Sequence, residues 1–84
     1  MDSYAIRKNS ERSFTVTVKS PANLKWKPLE SDGISIVDNQ TKLNSDGKDY
    51  SWTLEVEKPG YYEFNMLHQG VDGVFKRFVI PIIA

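Results

Sequence analysis

The chain has 84 residues, with eleven Lys and Arg against eleven Asp and Glu, one His and no Cys. A zero net charge excludes the basic excess that nucleic-acid binding or a polybasic membrane surface needs. The lack of cysteine excludes disulfide scaffolds, thiolate metal sites and thiol nucleophiles, so no metal and no cofactor is expected. A single domain over 1–84 is expected, and its ten aromatic residues (two Trp, four Tyr, four Phe) must supply much of a small core.

Taken in chain order, the elements are strands. An N-terminal strand runs through Tyr4 and Ile6. In Arg12–Lys19, Phe14, Val16 and Val18 alternate with Ser13, Thr15 and Thr17 at the strand period of two. In Asn23–Lys27, Leu24 and Trp26 face inward, and Ile34 and Ile36 mark a short strand that ends near Asp38. The stretch Asp49–Glu57 sets Tyr50, Trp52, Leu54 and Val56 against Ser51, Thr53, Glu55 and Glu57. Tyr61–His68 sets Tyr62, Phe64, Met66 and His68 against Tyr61, Glu63, Asn65 and Leu67. The turn pairs Asp32-Gly33, Asp46-Gly47, Pro59-Gly60 and Asp72-Gly73 recur every 13 or 14 residues, and glycine supplies the positive φ such corners use. No stretch carries a helical period, so the fold class is all-β.

The last strand, Val74–Ile83, is apolar on both alternations. A bulge near Lys76-Arg77 is expected, bringing Phe75 and Phe78 to one face. The strand is expected to be covered on both sides, the alternative being a contact with a neighbouring domain or a second copy through Val79 and Ile83. Pro81, which has no N–H, belongs at an edge.

The order of these features resembles an immunoglobulin-like β-sandwich of six or seven strands in two antiparallel sheets, of the cysteine-free bacterial type. Trp26 lies on the third strand, and Pro59-Gly60-Tyr61-Tyr62 is similar to the Gly-x-Tyr approach to the penultimate strand of such domains. That resemblance implies a structural tyrosine corner at Tyr62. Ser20-Pro21-Ala22-Asn23 ahead of Trp26 is faintly similar to the Asn-Pro-Thr-Thr-Gly loop of chagasin-type cysteine-protease inhibitors. Leu67-His68-Gln69-Gly70 stands where those inhibitors carry Arg-Pro-Trp. A second similarity is to the small sandwich modules found beside carbohydrate-active enzymes, through the closing Arg77–Ile82 strand.

Few residues point to chemistry. His68, the one imidazole, has no nucleophile motif around it and is expected to end its strand half-buried against Met66. Asp46 and Asp49 lie in a turn that needs no ion to explain it. Glu55, Glu57 and Glu63 are expected to pair across strands with Lys58, Lys76 and Arg77. A non-enzymatic binding or spacer module is therefore expected, recognising a protein or glycan surface without nucleic-acid binding or membrane insertion. The contact candidates are the outward rings Tyr61 and Phe75, and Pro21, Asn23, Gln69 and Asp72 in two loops. The alternative is a small protease inhibitor acting through loops at one end. Two locations fit: extracellular or cell-surface as part of a longer chain, or cytoplasmic if the chain is complete as given.

Overall fold

A computed structural model describes residues 3–84. Seven strands follow one another: β1 (Ser3–Ser10), β2 (Ser13–Ser20), β3 (Lys25–Pro28), β4 (Ile34–Asn44), β5 (Gly47–Val56), β6 (Tyr61–Gln69) and β7 (Phe75–Ile83). They form two antiparallel sheets, ordered β1-β2-β5-β4 and β3-β6-β7. The described residues contain no helix, and so none long and apolar enough to cross a membrane.

The alternation legible in the sequence becomes a single core. Phe14, Val16, Val18, Trp52, Leu54 and Val56 enter it from the first sheet. Trp26, Phe64, Met66, Ile80 and Ile82 enter from the second. Rings bridge the two sheets: Trp52 meets Phe64 edge-on at 5.9 Å, and Tyr4 meets Phe78 at 5.7 Å. These are the separations at which edge-to-face pairs are favourable.

Two corners depend on glycine. Gly33, at φ 77°, lies under the Tyr62 ring, and a Cβ there would stand 2.5 Å from Tyr62 Cε1. Gly47, at φ 153°, leads into β5 so close to the Ser20 carbonyl oxygen that a Cβ would fall 2.1 Å from it. The Tyr62 hydroxyl donates to the Lys58 carbonyl at 2.7 Å, which ties the approach to β6.

Four expectations are corrected. The strand expected to end near Asp38 continues to Asn44, paired to β5 along its length. Nearly every residue of β4 is exposed, so its backbone ladder, and not apolar burial, holds it in place. The third strand starts at Lys25 and reaches Pro28, with Leu24 in the preceding turn. The bulge expected at Lys76-Arg77 is absent, because β7 pairs with β6 without interruption from Phe75↔Gln69 to Ile83↔Tyr61. Register shifts occur instead between Lys8 and Ser10 and between Ile36 and Asp38. Phe75 consequently faces away from Phe78, and the outer side of β7, with Val79 and Ile83, is exposed instead of covered. Pro81 does lie on an edge strand.

The expected charge pairs give way to other partners. Register sets Glu63 opposite Pro81, and Glu55 between Ser13 and Ser35, with no cation directly across from either. Glu63 instead accepts from the Tyr61 hydroxyl at 3.2 Å, and Arg77 Nη2 donates to Asn65 Oδ1 at 2.7 Å.

Candidate binding surfaces

Three connections meet at one end of the molecule: β2–β3 through Pro21 and Asn23, β4–β5 through Ser45 and Asp46, and β6–β7 through Gly70–Val74. Register dictates the meeting. Ser20 pairs with Lys48 beside the β4–β5 turn, and Lys25 pairs with Gln69 at the last step of β6. Pro21 shares a 380 Å³ cleft with Asn44, Ser45 and Asp46. Asn23 shares a second cleft, of 230 Å³, with His68, Val71, Asp72 and Val74.

Hydrogen bonds hold these loops in shape. The buried indole of Trp26 donates through Nε1 to Ser20 Oγ at 2.8 Å, and that hydroxyl donates to the Pro21 carbonyl at 3.1 Å. The Leu24 N–H closes the β2–β3 turn onto the Pro21 carbonyl, and the Tyr50 hydroxyl donates to the Leu24 carbonyl. In the β6–β7 loop, the Gly73 N–H donates to the Gly70 carbonyl. Asp72 Oδ1 accepts from the Val74 N–H, and Gln69 Nε2 donates to the Gly73 carbonyl, both at 3.0 Å. The β4–β5 turn is closed by Asn44 Oδ1, which accepts from the Asp46 N–H at 2.9 Å.

Five of the six contact candidates therefore lie at or beside one end: Pro21, Asn23, Gln69 and Asp72 in or at the loops, and Phe75 opposite Gln69. Tyr61 does not join them. It is paired with Ile83 at the far end of the β6–β7 hairpin, eight residues from Gln69, roughly 27 Å along the strand. Tyr61 and Phe75 share a face without forming a joint ring platform. Gln69 and Asp72 act as braces within their loop. The apolar groups that this bracing holds out are Val71, 83% exposed, and Val74, 51% exposed. The sequence marks out the tip Gln69–Gly73 as a contact point without singling out Val71, and leaves out Val74. The available signal was a β-branched apolar residue at the tip of a Gly-x-Asp-Gly turn, where no core reason calls for one.

His68 lies half-buried on the floor of this end, and its ring stacks on Trp26 at 4.6 Å, not on Met66. Trp26 stands directly across the ladder from His68, whereas Met66 is two residues back on the same strand.

The outer face of the β1-β2-β5-β4 sheet differs in character. Thr15, Thr17, Ser51 and Thr53 line a shallow trough of 390 Å³ between Arg7 on β1 and Asp38 and Gln40 on β4. Short hydroxyl side chains occupy the middle strands and longer ones the edges, which makes the face concave. The Thr17 and Ser51 hydroxyls lie 3.2 Å apart, and the imidazole is on the other sheet. The trough accordingly has the composition of a solvated sheet face.

The ionisation of Tyr61 is displaced. Partial desolvation, then the charge of the Glu63 carboxylate and its hydrogen bond to the phenol, raise the Tyr61 hydroxyl above the ordinary tyrosine range.

Comparison of the chain with protein-family models, with curated proteins and with solved structures gives no match.

Proposed function

We propose that this chain is a non-enzymatic, immunoglobulin-like recognition module that binds a protein surface through the three loops at one end. The strand orders support the sandwich reading: β1-β2-β5-β4 and β3-β6-β7 correspond to the ABED and CFG sheets of constant-type immunoglobulin domains. The Tyr62 hydroxyl on the Lys58 carbonyl supports it as a tyrosine corner. One observation carries the functional reading: Val71 and Val74 are held out to solvent on a loop cross-braced by Gln69, Asp72 and the Gly70–Gly73 turn. Holding an apolar tip rigid before contact lowers the entropy lost on binding, as recognition loops require. A protein surface fits these side chains better than a glycan, because the loop end offers two valines and no pair of rings for sugars to stack on.

Affinity capture from an extract of the source organism tests the reading with three baits: the unaltered chain, the Val71→Asp/Val74→Asp variant, and a Glu57→Arg variant altered in the exposed β5–β6 connection at the far end. A species retained by the first and third baits, and reduced at least about tenfold on the second, is the expected result. Equal retention on all three baits, or none on the unaltered chain, refutes the loop-end assignment.

The joining of the β2–β3, β4–β5 and β6–β7 loops at one end also favours a second reading, a protease inhibitor of the chagasin-like kind. A panel of papain-like proteases unaffected by excess protein discards it.

A further inference from the structure

The outer face of the β3-β6-β7 sheet plays no part in the loop-end reading, yet it exposes much of the apolar surface of the chain. Five cross-strand rows make up its β6–β7 part: Tyr61/Ile83, Glu63/Pro81, Asn65/Val79, Leu67/Arg77 and Gln69/Phe75. On β7, Phe75, Val79, Pro81 and Ile83 stand exposed in one line, interrupted only by Arg77. A monomeric domain gains nothing by exposing such a stripe along an edge strand, and contiguous apolar surface of this kind marks an association site.

Charge on this face is polarised along the strands. Exposed Lys25, Lys27 and Arg77 gather toward the Gln69/Phe75 end. Exposed Glu63 lies toward the Tyr61/Ile83 end, where Asp32 shares a small cleft with it. The face is thus complementary to itself when reversed end for end. A two-fold axis across the strands at the Asn65/Val79 row brings Glu63 of one copy near Arg77 of the other. It also lays Tyr61 and Ile83 against Gln69 and Phe75. Residue i then meets j while j meets i, as an isologous interface demands. The other two-fold arrangement, with the axis along the strands, would set Glu63 near Glu63 and Arg77 near Arg77, and like charges oppose it.

We infer that this face is the interface of a symmetric dimer in which two copies pack their β3-β6-β7 sheets face to face with strands antiparallel. The contact covers roughly 30 Å along the strands and about 10–15 Å across them. That is well below the roughly 800 Å² per partner of a standard interface. The dimer is therefore weak, and association is expected toward the high end of protein concentration.

Sedimentation velocity of the full chain, from micromolar to millimolar concentration at low salt, tests the inference. The unaltered chain is expected to shift from monomer to dimer across that range. Glu63→Arg and Arg77→Glu should each weaken association about tenfold or more, and the double charge swap should restore it to within a few-fold. Ile83→Asp should leave a monomer throughout. All three substituted positions are exposed and lie outside the core, and circular dichroism of each variant checks that the fold is retained. A chain that stays monomeric to millimolar concentration overturns the inference. So does a dimer that the single charge reversals leave unchanged, or one that the double swap fails to restore.

Discussion

Trp26 links the core to the loop end, so replacing it tests both the packing and the source of loop order. The indole is 7% exposed, stacks on His68 at 4.6 Å and meets Phe78 edge-on at 5.6 Å. Burying an aromatic of this size removes roughly 150–250 Å² from water, about 4–6 kcal/mol at about 25 cal/mol per Å². Relaxation around the vacated space returns part of that, and Trp26→Ala is expected to cost about 3–5 kcal/mol. A domain of this length has a total stability of only about 4–13 kcal/mol, so the variant should lie near its unfolding threshold. Trp26→Phe separates the ring from its N–H: it keeps most of the packing and deletes the 2.8 Å bond to Ser20 Oγ. That change should cost about 1–2 kcal/mol, since the buried hydroxyl loses one partner while still donating to Pro21. Urea unfolding followed by the fluorescence of the remaining Trp52 measures both variants, with unchanged denaturant slopes as the check on two-state behaviour. A loss under about 1 kcal/mol for Trp26→Ala would falsify the placement of Trp26 in the core, and with it the anchoring of Ser20 and the β2–β3 loop.

Three further outcomes follow from local geometry. Gly33→Ala forces a side chain into a φ of 77° and against the Tyr62 ring, and should lower stability by about 1–3 kcal/mol in the same urea assay. Tyr62→Phe deletes only the hydroxyl bound to the Lys58 carbonyl, and a loss of about 1 kcal/mol, read as a lower thermal midpoint, is expected. Glu63→Gln removes the negative charge beside the Tyr61 phenol. In an alkaline ultraviolet titration of dilute protein, one of the tyrosines should then ionise at lower pH than before, and an unchanged profile would remove Glu63 as a cause of the raised value.

What the sequence discloses and what it hides follow from which forces write themselves into side chains. The core strands were readable because burial selects for period two: Phe14, Val16 and Val18, or Trp52, Leu54 and Val56, announce the inner face directly. The β4 strand beyond Asp38 was not readable. Asp38–Lys42 is held by main-chain bonds to β5, buries almost nothing, and carries polar side chains that suit a loop equally well. The bulge was misplaced for a related reason. Two phenylalanines three residues apart invited a common face, but the ladder with β6 is uninterrupted and Phe75 stays outside. At the loop end, Pro21, Asn23 and Asp72 stood out by residue type. Their proximity depends on two sheets meeting, which no single stretch of chain records, and Val71 was hidden among turn residues.

The two proposed surfaces bear on one another through symmetry. A two-fold axis across the strands reverses one copy against the other, so the loop ends of a dimer point in opposite directions. The longest dimension of a single copy is 38 Å, and the two loop ends are separated by a distance of that order. Such a dimer bridges two partner molecules that lie on opposite sides of it, as in a dense three-dimensional matrix, and there the second contact proceeds at the effective concentration set by the first. Glu63→Arg should therefore lower retention in a three-dimensional matrix densely loaded with the captured partner by about tenfold or more, while leaving binding to dilute soluble partner unchanged. Val71→Asp/Val74→Asp should lower both. Surface plasmon resonance at two immobilisation densities in such a matrix, paired with a solution competition assay, distinguishes the two patterns. If Glu63→Arg weakens binding equally in both formats, the β3-β6-β7 face contacts the partner directly and the division of labour between face and loops is wrong.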